Sequence, residues 1–136
     1  NSFTFEHDEI GYNYRLPNLN AALGVAQMEM LESYLDNKRS TARKYQDWGN
    51  HHGMHFVKEP KDTRSNYWLN IAVTENQEQR NYMIEFTNKN NIMTRPAWMP
   101  MHKLAINNDC QKNVMKNTDW LFDRLVNVPS SVVTYE

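Results

Sequence analysis

The chain has 136 residues, 40% of them hydrophobic and 12% aromatic, with a formal net charge of −1. That length suits one folded unit with a core of its own, and the near-neutral charge argues against the basic footprint of a general nucleic-acid binder. No apolar run reaches the length of a membrane span, no N-terminal stretch reads as a secretory leader, and the single cysteine, Cys110, excludes an internal disulfide and a cysteine-based zinc site, so the expected setting is the cytoplasm.

Residues 1–16 carry no clean period. Phe3, Phe5, Ile10, Tyr12 and Tyr14 alternate imperfectly with polar residues, which predicts an extended arm with a turn at Gly11. Pro17 suits the first turn of a helix. Leu19, Ala22, Leu23, Ala26 and Met30 follow at helical spacing, and Ala21, Gly24 and Val25 widen the stripe, so this helix is expected to be buried on more than one side. A second helical pattern covers about Ser33 to Trp48, with Leu35, Ala42 and Tyr45 on one face and Lys38, Arg39, Arg43 and Lys44 outside; Gly49 to Gly53 ends it.

Met54, Phe56 and Val57 predict a short strand stopped by Pro60. Tyr67 to Val73 reads as a longer one, with Tyr67, Leu69, Ile71 and Val73 alternating with Trp68, Asn70 and Ala72. Asn76 and Gln79 resemble a capping pair for a helix to Lys89 that buries Met83, Ile84 and Phe86. Ile92 to Arg95 is a predicted strand closed by Pro96, Pro96 to Asn108 a loop, Asp109 to Phe122 a last helix, and Leu125 to Val128 a last strand. The order gives an α+β class, with helices packed on one side of a small sheet. Residues 17–136 form the folded domain and residues 1–16 precede it as an arm.

Five histidines raise the question of a metal. His51, His52 and His55 cluster at a predicted turn, but adjacent His51 and His52 point different ways and no HExxH spacing occurs, which favours a solvated turn over a ligand set. His7, Asp8 and Glu9 could serve acid–base chemistry or be an exposed arm. Cys110 beside a predicted helix start is read as a quiet, half-buried thiol. No glycine-rich phosphate loop is present.

Two segments offer more. In Gly11-Tyr12-Asn13-Tyr14-Arg15-Leu16-Pro17, the amide of Asn13 and the guanidinium of Arg15 stand just before a helix N-terminus, a setting that can bind a phosphate, although the residue chemistry alone favours a turn with a surface pair. In Thr94-Arg95-Pro96-Ala97-Trp98-Met99-Pro100-Met101-His102, two prolines stiffen a loop that displays Arg95, Trp98 and His102, either as a binding edge or as a connection with Trp98 packed inward.

The first segment, continued through Asn18-Leu19-Asn20-Ala21-Ala22-Leu23-Gly24, resembles the G-Y-N-Y-R-(L/M)-x-N-x-x-A-A-(L/I)-G signature of the DegT/DnrJ/EryC1/StrS family of sugar aminotransferases. His7-Asp8-Glu9-Ile10 is similar to a LegC-type branch that acts on nucleotide-linked acetamido-dideoxy-4-keto-hexoses. Gln27 with Glu29, then Arg39, Ala42 and Tyr45, then Thr94 to His102, and finally Val126-Asn127-Val128-Pro129-Ser130-Ser131 continue the resemblance in register. It implies the small C-terminal domain of a fold type I pyridoxal-phosphate enzyme, usually a homodimer with sites at the interface. It implies that Asn13 and Arg15 lie at the cofactor phosphate and that Arg95, Trp98 and His102 face the nucleotide-sugar entrance. It assigns no catalytic residue and no metal ligand here.

In the family the lysine that joins the cofactor lies upstream of the G-Y-N-Y-R segment, and no lysine of this chain stands in a comparable context. The chain alone is therefore expected to bind no pyridoxal phosphate and to be inactive. Lys103-Leu104-Ala105-Ile106-Asn107-Asn108 also departs from the family's proline and aromatic residues. The alternative is a free-standing binding or structural module derived from such an enzyme, self-associating through its long first helix.

Overall fold

A computed structural model describes Glu9 and residues 11–133. Phe3, Phe5, His7, Asp8 and Ile10 lie outside the described residues, so of the arm only Glu9 and residues 11–16 are described. The elements run α1 (Asn18–Glu29), α2 (Leu31–His52), β1 (His55–Phe56), β2 (Asn70–Val73), α3 (Gln77–Lys89), β3 (Arg95–Pro96), two 3-10 turns (Met101–Lys103 and Ala105–Asn107), α4 (Lys116–Phe122) and β4 (Leu125–Val128). The sheet is antiparallel throughout, in the order β1-β2-β4-β3.

The core forms where two helices cover one sheet face. Phe56 opposes Ala72, and Ala72 opposes Val126; side chains paired in register share a face. Tyr45 of α2 and Met83 and Ile84 of α3 pack on that row, together with Met54 and Val128. Burying side chains the size of Phe56, Ile84 or Val126 stabilises by about 1.5–3 kcal/mol each. The buried parity of β2 is Asn70 and Ala72, not the more apolar Ile71 and Val73. Asn70 is satisfied there, because its backbone N–H and its side-chain amide both donate to Ser130 Oγ, at 2.7 and 3.2 Å. Ala72 is small, which lets the helices approach the sheet.

Several boundaries correct the sequence reading. α2 continues through Gly49 to His52 and stops at Gly53, whose left-handed φ of 72° is a low-cost cap for glycine. Gly49 is buried rather than part of a turn; a Cβ there meets the Met54 carbonyl oxygen and comes within 2.8 Å of the Phe56 ring. β2 begins only at Asn70, because Tyr67 has a φ of 43° and breaks the extended run. β3 includes Pro96, an edge position where proline's missing N–H costs no ladder bond. α4 starts at Lys116, seven residues later than predicted from Asp109.

Burial also departs from expectation. α1 has no buried residue, with Leu19 80% and Leu23 61% exposed, and Phe86 of α3 is exposed. Arg80 is buried instead, its guanidinium donating to the Phe122 carbonyl at 2.5 Å and to Asn81 Oδ1. α3 begins as predicted: Asn76 Oδ1 accepts from the Gln79 N–H at 2.8 Å, while the Gln79 side chain reaches back to the Glu75 N–H.

Candidate functional site

β3 and β4 bring the second segment against the chain's end. Arg95 opposes Asn127 across the ladder, and the Asn127 amide donates to the Pro96 carbonyl at 3.0 Å. Trp98 follows two residues beyond this edge strand. It meets Trp68, which arrives on the connection from β1 to β2. The two indoles stack with centroids 5.8 Å apart and planes 27° apart. Both remain open, Trp98 at 54% and Trp68 at 64% exposure. They line a cleft of about 420 Å³ together with Arg95, Asn127 and the Pro129–Ser131 segment.

Both walls of the cleft are tied to α2. Lys38 Nζ donates to the Ser130 carbonyl at 2.6 Å and to the Trp68 carbonyl at 3.4 Å, so one ammonium bridges them. Its desolvation lowers the Lys38 pKa. Tyr45 Oη donates to the Pro129 carbonyl at 3.0 Å. Asn37 grips Val133 twice, donating to its carbonyl at 2.7 Å and accepting its N–H at 3.0 Å.

The Trp68 wall is held by a second network. Arg39 forms a two-pronged pair with Glu59, at 2.9 and 2.6 Å, and donates to the Ser65 carbonyl at 2.7 Å. Glu59 also accepts the Ser65 N–H at 2.7 Å. The Arg39 bonds first, and the Ser65 N–H second, hold the Glu59 carboxyl down from its ordinary 4.5 to about 2. Tyr67, beside Trp68, keeps its left-handed backbone through contacts on all sides: the guanidinium of Arg39 lies 5.7 Å over its ring, its N–H donates to Ser65 Oγ, and its hydroxyl accepts the Glu59 N–H. A non-glycine residue in that region costs about 1–2 kcal/mol, which these contacts offset.

Of the predicted site residues, Arg95 and Trp98 share the cleft. His102 does not. Its Nε2 lies 2.9 Å from Asp119 Oδ1, which Lys103 Nζ also contacts at 2.9 Å, so it anchors the 3-10 turn to α4. Lys103 first, and His102 with it, lower the Asp119 pKa. Asn13 and Arg15 contact each other, with Arg15 Nε donating to Asn13 Oδ1 at 2.9 Å, on an exposed stretch flanked by the stacked rings of Tyr12 and Tyr14. Pro17 gives α1 no side-chain cap, so the first-turn N–H groups lack that internal acceptor.

Of the three histidines of the supposed turn, His51 and His52 belong to the last turn of α2 and His55 opens β1. His51 Nδ1 and His52 Nδ1 contact the Asp47 and Trp48 carbonyls at 2.7 and 2.8 Å. Among the described residues no group of three His, Cys, Asp or Glu could hold a metal. Cys110 is exposed rather than half-buried, because α4 begins beyond it. Among the described residues no helix is long and apolar enough to cross a membrane.

Sequence reading missed Lys38, Glu59 and Trp68 as determinants of the cleft. Lys38 and Arg39 follow each other on what looks like a solvated helix face, and their partners lie 20 to 92 positions away. Trp68 stands in a run read as a strand, where its indole looks like one more alternating side chain.

Comparison with known proteins gives the family and the fold. GDP-perosamine synthase from Escherichia coli O157:H7 is 34% identical over 127 residues, covering 91% of this chain and 34% of that protein. Among solved structures, Spr1654 from Streptococcus pneumoniae in its PLP form superposes with a TM-score of 0.77 at 20% identity, over 90% of this chain and 32% of that one. GDP-4-keto-6-deoxy-D-mannose-3-dehydratase from E. coli, solved with bound hydrated PLP, gives 0.69 at 20% identity, over 90% and 33%. The chain spans between 26% and 35% of the length of the curated relatives it matches. The pattern of the DegT/DnrJ/EryC1/StrS aminotransferase family matches residues 2–135, and the chain belongs to that family.

Proposed function

We propose that these residues form the small, C-terminal domain of a pyridoxal-phosphate-dependent aminotransferase acting on a nucleotide-linked keto sugar. The observation that carries this reading is the family match over residues 2–135. Pyridoxal phosphate supplies the electron sink for exchanging an amino group with a carbonyl; this chain's residues bind and orient. Asn13 and Arg15 have the donor chemistry a phosphate needs, an amide and a guanidinium ahead of an uncapped helix start. Their exposure lets them reach a site outside their own fold, as a homodimer requires. The residues present therefore fit the cofactor's phosphate.

Arg95 and Trp98 take the substrate side, with His102 fixing the loop that carries them. The lysine that joins the cofactor is supplied from outside these residues. Lys38 is committed to two carbonyls, Lys89 pairs with Glu85, and Lys103 pairs with Asp119. The branch acting on acetamido-dideoxy-4-keto-hexoses rests on His7-Asp8-Glu9-Ile10 alone.

Calorimetric titration of the chain with GDP-linked and UDP-linked hexoses, against the free hexose, tests the substrate class. Saturable binding of a nucleotide-linked form and none of the free sugar is expected. Equal response to all three, or none, contradicts it.

A further inference from the structure

We infer that the Trp68–Trp98 pair is the subsite for the nucleobase of the substrate, with Trp68 a binding residue in its own right. This rests on the nucleotide-sugar reading above and assigns one part of that substrate to one wall of the cleft.

Stacked indoles that serve only packing are normally covered. Here both are more than half exposed, at the mouth of a cleft of about 420 Å³. An exposed indole face gains most from a flat π-system laid against it, and a nucleobase is such a ligand whatever its hydrogen-bonding edge. A phosphate group alone gains nothing from an indole.

The cleft's other groups agree with a base carrying an anionic tail. Arg95 stands at the same rim and brings positive charge. Asn127 opposes it across the ladder with an amide that gives one N–H to the Pro96 carbonyl, leaving its second N–H and its carbonyl oxygen for a base edge. Ser131 also lines the cleft.

The platform is also preorganised. Trp68 follows the left-handed Tyr67, and its N–H donates to Asn66 Oδ1 at 3.0 Å. Its carbonyl and that of Ser130 are joined by Lys38. The indole therefore sits on a rigid support, which reduces the ordering a ligand has to impose.

The test is intrinsic fluorescence and calorimetry of the full 136-residue chain with GDP, UDP and inorganic pyrophosphate. Trp68→Leu and Trp98→Leu are each expected to weaken GDP binding about tenfold, the scale of one lost base–aromatic stack, and to leave pyrophosphate binding unchanged. Trp68→Phe and Trp98→Phe restore most of the affinity, which separates stacking from a folding defect. Trp120→Leu, on α4, is the control and leaves GDP binding unchanged. If GDP binds and neither leucine variant weakens it, the inference is overturned while the nucleotide-sugar reading stands. If the leucine variants weaken GDP and pyrophosphate alike, the cleft recognises the diphosphate and the assignment to the base is wrong. If the unaltered chain binds neither nucleotide, both the inference and the reading beneath it fall.

Discussion

α1 and α2 meet at Met30 and use their sequences in opposite ways. α1 is the more apolar helix and buries nothing. α2 is strongly polar, yet it buries Ala42 and Gly49 and holds the cleft walls with Asn37, Lys38, Arg39 and Tyr45. An apolar stripe marks a surface that needs a partner, without saying that the partner belongs to the same fold. Polar residues on a helix are equally able to be structural when loops cross their face. The first region leaves its apolar stripe open; the second is packed by its own sheet and loops.

The sharpest way to break the α2 half is steric. Gly49→Val places methyl groups where even a Cβ collides with the Met54 carbonyl oxygen and crowds the Phe56 ring. It is expected to cost about 3 kcal/mol, read as a lowered urea midpoint with an unchanged slope.

A smaller break is electrostatic. The Glu59 pKa is lowered in the folded state, from 4.5 to about 2, so the protonated form is disfavoured by folding. The stability from its pairing with Arg39 is full above pH 4.5 and is lost as pH falls toward 2. Melting temperatures followed over that window should fall more steeply for the parent chain than for Glu59→Gln, which lacks the titrating group and is already less stable at neutral pH. Parallel curves would show that the pair contributes nothing.

Removing the α3 cap by Asn76→Ala leaves the Gln79 N–H without its acceptor and should cost about 1 kcal/mol in the same urea experiment.

The least stability effect is expected in α1, where Leu19→Ser and Leu23→Ser remove side chains that touch no core. Each should change unfolding free energy by less than about 0.5 kcal/mol. On the proposed homodimer reading, in which this face is covered, the same variants should shift the sedimenting mass from dimer toward monomer. A parent chain that stays monomeric at high concentration contradicts the association.

Much of the fold was legible in sequence because local chemistry set it. Asn76 caps α3, the short apolar run before Pro129 marked β4, and the helical spacing of Leu35, Ala42 and Tyr45 marked α2. What was not legible depended on distant partners. Asn70 is on the buried parity only because Ser130 meets it, 60 positions on. Gly49 reads as a breaker until Phe56 is seen against it. His102 looked like a partner of Trp98, four residues apart on a stiff loop that carries its side chain to Asp119 instead. At the candidate site, Arg95 and Trp98 were visible as unusual residues on a stiffened loop, but Trp68 was assigned to a strand that Tyr67 interrupts.

The central claim is that these residues supply the substrate side of an aminotransferase and a reach toward its cofactor phosphate, and not the lysine that joins the cofactor. The most direct measurement is a spectroscopic titration of the chain with pyridoxal phosphate, followed by borohydride reduction and mass analysis. The account predicts no saturable adduct on any one lysine, since no lysine of this chain stands in the family's sequence context and Lys38 and Lys103 are held by carbonyls and a carboxylate. A stoichiometric adduct on a single lysine would show that this chain builds a complete cofactor site, and would contradict it.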